Sequence, residues 1–474
     1  MSRYRLNIKI LNVTVTAVTF IFSSPVFADS VISADDLAKI NGWGSNRPSE
    51  ELYFQYKSVF DNSLYYNQTT GAVIWPVNDG FAEIPYAENL GVGTWIDRFG
   101  SDYGYYVSPA GTPYTMRSCA PGTENRAYSI FVVKKPVDVQ SGLIASWFDE
   151  EGGGYQYLLP TSVMNLINSG NIRRVEQWEL ASEDHVQPAV ISQRHSMTGK
   201  IIAEHFQDTQ DNDVWVKFSR RVGHLGNGGD YYSNMIYFGY DRMRNKNWRD
   251  GLFVTYGTSK YSSDTASAQI DDIRFGLYTN YKKNKDNAFI YLDYGQQKNS
   301  FNRHVAEIYL DSNANYNSHI IEIGGEYKRN LHDENKIWQV SPYVDLTASY
   351  LKQSTYTENI TELLGQNVDM KNNFYVAISP GIEFRRNIGN GNLAIRLGCE
   401  YALTGTNLNT KFQYAHYDRS SYELKTKSNK LHWTVGIAGN FDISRDWQLD
   451  LNAAYKRGAH EDELSAAVQL QYVW

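Results

Sequence analysis

The chain has 474 residues, too many for one ordinary core, and a formal net charge of -7 that gathers into no basic or acidic block, which excludes the electrostatic footprint of a nucleic-acid binder. Hydrophobic residues reach only 42% while aromatics reach 14%, with 36 Tyr against 12 Pro, a balance that excludes disorder and suits many strands with half their side chains wet. Cys119 and Cys399 fall in what read as different domains, which excludes a disulfide framework. The first element is a signal peptide over residues 1–28. Arg3, Arg5 and Lys9 precede the apolar run 10–22, and Val26-Phe27-Ala28 supplies small residues for cleavage after Ala28. That run is short and broken by Asn12, Thr14, Thr16 and Thr19, which argues against a single membrane anchor. No later stretch approaches ~20 apolar residues, so any further span has to be built from strands.

Residues 29–72 read as an extension that leads into a small α+β domain over 73–178. Trp75-Pro76-Val77-Asn78-Asp79-Gly80-Phe81 is a turn-rich entry, Tyr128–Val133 is a β-branched and aromatic strand, and 161–169, closed by Gly170, is a short capped helix. Between them lie Asp97-Arg98-Phe99-Gly100-Ser101, the run Tyr106-Val107-Ser108-Pro109-Ala110-Gly111-Thr112-Pro113-Tyr114 with Arg117 after it, and Gly152-Gly153-Gly154-Tyr155-Gln156-Tyr157. Two guanidiniums beside glycine-lined turns suit a phosphate-bearing ligand, because Arg offers a planar donor fork that matches phosphoryl oxygens. Phe99 or Tyr105 could stack on a flat ring. Each signal is weak alone, since an Arg after Asp is commonly half of an ion pair and three glycines are commonly a turn. The first His after the extension is His185, which excludes a His-dependent triad from this domain.

Residues 179–210 form the linker, with a candidate helix over 182–206 that Pro188 and Gly199 weaken. From about residue 211 to 474 the pattern turns to alternation of period two. Trp338, Val340, Pro342, Val344, Leu346, Ala348 and Tyr350 form one face, against Gln339, Ser341, Tyr343, Asp345, Thr347 and Ser349 on the other. The first face fits lipid and the second fits water. Twelve such segments start near Val214, Ser233, Gly251, Asp271, Asn287, Ser318, Ile337, Asn373, Asn392, Lys430, Asp446 and Leu464. An even count with spans of ~9–11 residues predicts a 12-stranded transmembrane antiparallel β-barrel. Arg274, Glu322, Glu326, Glu383 and Arg396 would then point into a polar lumen, while Val468, Leu470, Tyr472 and Trp474 would face lipid at the carboxyl end. A soluble β-sandwich also alternates, but its strands are nearer ~5–6 residues.

Asp213-Val214-Trp215-Val216-Lys217, Phe238-Gly239-Tyr240-Asp241-Arg242 and Ser341-Pro342-Tyr343-Val344 resemble strands of the autotransporter β-domain, and the resemblance covers 213–474. It implies a barrel in the outer membrane, inserted by the barrel-assembly machinery, with a helix through its pore and the upstream passenger at the cell surface. Family members that cut themselves do so at paired Asn in that helix. No Asn lies between Ser182 and Gln210, so the passenger is expected to stay attached.

The passenger motifs, taken in order as W-P-x-x-D-G-F, D-R-F-G-S, S-P-x-G-T-P-Y, K-P-V-x-V-x-x-G over 135–142, Trp147-Phe148 and G-G-G-x-Q-Y, resemble the TNT domain of bacterial necrotizing toxins and fungal surface NADases. The resemblance covers about 73–175 and implies hydrolysis of NAD to nicotinamide and ADP-ribose, with NAD as substrate, no cofactor and no metal. It carries essential residues onto Arg98, Arg117 and Gln156, with Phe99, Gly100, Ser108, Tyr114, Gly153 and Gly154 as substrate contacts. The arginines would clamp the pyrophosphate, and Gln156 would hold the ribose or a water. A toxin of this kind would add an immunity protein to its partners. This chain departs from the family at Asp149-Glu150-Glu151 and Cys119-Ala120-Pro121. The acidic run leaves ADP-ribosyl transfer or cyclisation open, and a degenerate passenger acting as an adhesin is the non-enzymatic alternative.

Overall fold

A computed structural model describes residues 32–196, 198–205, 212–305, 310–331, 337–359, 365–414 and 417–474. The expected signal peptide and its cleavage point after Ala28 lie outside these residues. The chain forms two compact units, one ending at Trp75 and the other Pro76–Trp474, each described by itself.

The first unit is helical. Ser33 and Ser49 cap helices α1 (Ala34–Asn41) and α2 (Glu50–Gln55) by accepting from Asp36 and Leu52 amides, and α3 (Lys57–Phe60) follows. Trp43, Tyr53, Phe60 and Tyr66 form its core, with Trp43 stacked on Tyr66 at 6.4 Å between centroids. Gly71 lies against the Trp43 ring at φ +66°, where a Cβ would come within 2.5 Å of the indole. Lys57 Nζ donates to Asp36 and Asp61 at 2.7 and 2.5 Å, closing the loop between α1 and α3.

In the second unit, seven short strands form the passenger sheet: β1 (Tyr86–Leu90), β2 (Trp95–Phe99), β3 (Tyr106–Pro109), β4 (Tyr128–Val133), β5 (Val137–Leu143), β6 (Tyr155–Leu158) and β7 (Ile172–Arg174). Their order is β1-β5-β6-β3-β2-β4-β7, every neighbour antiparallel. Paired residues share a face, so the register sorts the side chains. Ile96, Val107, Phe131, Val133, Val139 and Tyr157 pack on one face against Val163 and Leu166 of α4 (Val163–Asn168). Trp95, Phe99, Tyr128, Ile130 and Val132 occupy the other. The α4 helix sits where expected, capped by Ser162 and ended at Gly170, φ +69°.

The linker enters the barrel as two eight-residue helices, α6 (Gln187–Arg194) and α7 (Thr198–His205), after a single turn α5 (Gln177–Leu180). The expected continuous helix over 182–206 breaks at His195, whose Nδ1 lies 3.1 Å from Glu463 and 2.9 Å from the Tyr231 hydroxyl. Pro188 falls in the first turn of α6, where its missing N–H costs nothing. Gly199 lies flush on the wall, since a Cβ there would meet the Tyr291 hydroxyl at 2.7 Å.

Twelve strands close the barrel: β8 (Asp213–His224), β9 (Asp230–Asn245), β10 (Trp248–Ser262), β11 (Ala266–Lys283), β12 (Asp286–Val305), β13 (Leu310–Arg329), β14 (Gln339–Gln353), β17 (Asn373–Ile388), β18 (Gly391–Thr404), β21 (Leu431–Asp442), β22 (Trp447–Arg457) and β23 (Asp462–Val473). Each sequence-derived segment falls on one of these strands. The strands run from 11 to 20 residues; β22, at 11, just meets what a bilayer requires, and β12 and β13, at 20 each, far exceed it. Strand β23 pairs with β8 through Val473 and Asp213, so no edge remains. Leu252, Phe275, Leu292, Ile323, Leu346, Val435 and Leu470 are exposed on the outer face, as lipid requires. The lumen is ionic: Arg274 meets Asp272, Arg396 meets Glu326 and Glu383, Lys328 meets Glu383, and Lys456 meets Glu400.

One end of the barrel carries tight turns such as 246–247, 284–285 and 389–390. The other carries long excursions, in which β15 (Tyr356–Thr357), β16 (Gln366–Met370), β19 (Asn407–Tyr414) and β20 (Tyr417–Lys427) form a separate four-stranded sheet. The passenger side of the linker enters at that end: Arg303 donates to the Leu180 carbonyl at 2.5 Å, and Asp184 accepts from Asn227, Thr265 and Tyr261. Among the described residues no helix is long and apolar enough to cross a membrane.

Candidate active site

Strand β2 supplies the first part of the site. Asp97 is fully buried and accepts from the Tyr128 hydroxyl at 2.7 Å and the Gly111 amide at 2.8 Å, while Arg117 pairs with it at 2.6 Å. Arg117 stands at the end of a 3-10 turn, Tyr114–Arg117, and also donates Nε to the Thr112 carbonyl at 2.9 Å. Burial pushes the Asp97 carboxyl up, opposed by Arg117, Tyr128 and Gly111; burial likewise works against the Arg117 charge, but Asp97 reverses the balance and raises it. The expectation for Arg117 is a pyrophosphate clamp, whereas the ion-pair reading belongs to Arg98, which follows Asp97 in the sequence. The geometry gives an ion pair that holds the turn, with the guanidinium 5.6 Å from the Phe99 ring.

Phe99 is half-buried, edge-on to Tyr114 at 5.3 Å and tilted on Tyr128 at 4.9 Å. Tyr114 donates to Glu124 at 3.0 Å. Ser108 is buried and pairs with Asp97 in register, so it lies on the same face. Arg98 projects to the opposite face of β2 from Asp97. Its Nη1 donates to the Tyr106 carbonyl at 3.0 Å, its Nε is buried with no partner, and it lies over Gly104, where a Cβ would overlap the guanidinium. Gly100 lies beside the same group: a Cβ there would come within 3.3 Å of Arg98 Nη2. Burial lowers the proton affinity of Arg98, so its charge is incompletely compensated.

Strand β6 carries Gln156, registered with Gly142 of β5, and donates Nε2 to the Asp79 carbonyl at 3.4 Å. The three glycines before it are a close-approach device. Gly152 and Gly153 have φ of 67° and 77°, Gly153 is exposed, and Gly154 is pressed on the Arg117 turn, where a Cβ would lie 2.6 Å from the Met116 carbonyl. The Gly154 amide donates to that same carbonyl at 3.0 Å, so the loop ties Gln156 to Arg117.

Backbone strain concentrates here. Asn78, Asp79, Ser118, Phe148 and Asp149 all have positive φ, leaving Asn284 as the remaining non-glycine case among the described residues. Each costs of order 1–3 kcal/mol when the residue is unsuited, as Phe148 is, and such clusters accompany ligand sites. The Ser118 hydroxyl receives the Trp147 amide at 3.2 Å, joining two of these strained segments. Cys119 lies among them as a free thiol; burial pushes it up to about 11, with Arg117 opposing. Glu150, half-buried next to Glu124 and Glu151, is raised by burial and by those two carboxylates.

Sequence reasoning named the arginines and the glutamine but missed Asp97 as the counter-charge and the Asn78–Gly80 turn as the seat of Gln156. The adjoining Asp in Asp97-Arg98 was the available signal for the first, and Asn-Asp-Gly for the second. Among the described residues, His205, Asp213 and Asp241 come close enough to hold a metal ion, but they lie inside the barrel and Arg249 bonds both carboxylates.

These features define a membrane β-barrel whose pore linker carries a small domain with a strained, arginine-bearing site. A family model described as Autotransporter beta-domain matches residues 214–454, more than half of the chain, and one described as Tuberculosis necrotizing toxin matches residues 89–175. The chain belongs to the autotransporter family, with a toxin-type domain as its passenger, and its barrel resides in the outer membrane with that passenger exposed. It is 38% identical over 122 residues to the conidial surface nicotinamide adenine dinucleotide glycohydrolase of Aspergillus fumigatus, a match covering 23% of this chain and 52% of that protein. The chain thus spans about half the length of this relative. The translocator domain of the autotransporter NalP from Neisseria meningitidis superposes with a TM-score of 0.54 at 15% identity, covering 62% of this chain and 100% of that one, a likeness of fold.

Proposed function

We propose that this protein displays at the cell surface an enzyme that hydrolyses NAD to nicotinamide and ADP-ribose, as a toxin toward other cells. The observation that carries the reading is the Gly152–Gly154 loop, which ties Gln156 to the Arg117 turn in a passenger similar to a fungal NAD glycohydrolase. Nicotinamide departs as a neutral group, so the chemistry asks for orientation, a twisted ribosyl ring and an aligned water rather than a strong acid. In this reading Arg98, with Nε unpartnered, takes the pyrophosphate. Arg117 acts through Asp97 to fix the turn on which Phe99 and Tyr114 rest, and Phe99 packs on the nicotinamide. Gln156 holds the ribose or the water. Gly100, Ser108, Gly153 and Gly154 line the approach, and NAD is a substrate that needs no further cofactor.

The raised carboxyl of Glu150 favours one second reading, transfer of ADP-ribose to an acceptor or cyclisation. We also propose that the passenger stays attached, that the lipid-facing end Val468, Leu470, Tyr472 and Trp474 is read by the barrel-assembly machinery, and that the producing cell holds an immunity protein.

The test uses outer membranes holding the full-length protein and NAD labelled in its adenine. Equal amounts of nicotinamide and free labelled ADP-ribose are expected, with Glu150→Ala largely active. Label accumulating on protein or in a cyclic product, together with loss of activity in Glu150→Ala, would establish transfer instead. Arg98→Ala should weaken NAD use at least tenfold, as loss of a charge-assisted contact of ~1.5–3 kcal/mol requires.

A further inference from the structure

The turn below Gln156 holds a side chain where none is needed for its geometry. Asn78, Asp79 and Gly80 occupy three consecutive left-handed conformations, φ 57°, 54° and 85°. Glycine at position 79 would adopt this backbone without strain, yet Asp79 presents an exposed carboxylate there. The turn is rigidly seated. Phe81 N–H donates to the Asn78 carbonyl at 3.0 Å, Ala145 N–H to the Gly80 carbonyl at 3.0 Å, and Ala82 N–H to the Leu143 carbonyl at 2.8 Å. Gln156 Nε2 reaches the Asp79 carbonyl, and a Cβ on Gly80 would lie 3.3 Å from that same nitrogen. Tyr106 is raised first by burial and then by the nearby Asp79 charge, so the carboxylate and this exposed tyrosine share one neighbourhood. Two other carboxylates of the site are engaged elsewhere: Asp97 is buried on Arg117, and Glu124 receives Tyr114.

We infer that Asp79 is a catalytic residue of the proposed hydrolysis, its carboxylate accepting the proton of the water that Gln156 aligns. The inference rests on the glycohydrolase reading and adds a residue to it. As the bond between ribosyl C1′ and the pyridinium nitrogen breaks, its electron pair leaves with neutral nicotinamide. C1′, now cationic, takes the oxygen of water to form the new C–O bond. The water proton passes to the Asp79 carboxylate and from there to solvent, so charge and atoms balance. An anion beside the developing ribosyl cation also favours the transition state over the bound substrate.

Two substitutions separate the carboxylate from the turn. Asp79→Asn keeps a residue that tolerates this backbone and keeps the carbonyl that Gln156 uses; Asp79→Gly keeps the carbonyl and removes the strain. With full-length protein in outer membranes, both should lower kcat by roughly a hundredfold, the low end for a lost acid–base group, with KM little changed. Added formate should restore part of the rate of Asp79→Gly. Folding of the variants is checked by passenger resistance to protease. If folded Asp79→Asn retains the wild-type kcat, the carboxylate has no catalytic part and the inference is wrong. If the wild-type protein itself releases no nicotinamide, the glycohydrolase reading fails first, which is a different result.

Discussion

Gln156→Ala should lower kcat by roughly a hundredfold to a thousandfold, the range for removing one pre-organised donor at a reacting centre, while the passenger stays folded. The structural cost is small because Gln156 is half-buried and makes one long hydrogen bond, 3.4 Å to the Asp79 carbonyl, with no role in either sheet core. Its register with Gly142 is made by the backbone and survives truncation of the side chain. A residue that aligns water or the ribosyl cation acts chiefly in the transition state, so steady-state kinetics should show the loss in kcat. A raised KM with unchanged kcat would make Gln156 a binding contact only.

Arg117→Ala should behave differently, by unfolding the passenger rather than by blunting its chemistry. Asp97 would be left fully buried with only Tyr128 and Gly111 as partners. Stranding one member of a buried ion pair costs about 3–5 kcal/mol, a large share of the ~5–15 kcal/mol that holds a domain together. On intact cells, protease should strip the Arg117→Ala passenger while the barrel keeps its heat-modifiable migration. Pairing Arg117→Met with Asp97→Asn removes both charges, so the double variant should regain protease resistance and, with it, part of the activity. A protease-resistant double variant that releases no nicotinamide would show that the charges serve the reaction directly.

The barrel was legible because lipid and water impose opposite demands on alternate residues, and twelve segments recorded it. The record fades where both faces meet water. The segment at Ser318 marks where the apolar contrast begins, but β13 starts at Leu310, and Asn313, Asn315 and Asn317 on its outward side give no contrast to read. The outer sheet of β15, β16, β19 and β20 was missed for the same reason. The helices before Trp75 are four to eight residues long, below the length at which periodicity can be read.

In the passenger, Arg98 and Arg117 could be singled out because charge and glycine spacing are local properties, whereas Gln156 was named only through the resemblance of the ordered motifs to the TNT domain. Their surroundings are not local. The pairing of Asp97 with Arg117 requires the 3-10 turn to fold back onto β2, and the placement of Arg98 on the other face follows from strand alternation that the short β2 does not advertise. Phe148 and Ser118 are not residues that announce a left-handed backbone, so the strain around the site had no sequence signal.

In the proposed function, a catalytic passenger is held outside the cell by its own barrel. It is tested most directly by adding NAD to intact cells expressing the full chain and measuring free nicotinamide in the medium. Steady release is expected, staying with the washed cells and falling sharply in Gln156→Ala. NAD left intact by cells whose passenger is demonstrably exposed and protease-resistant, or activity that washes off with a released passenger, would contradict it.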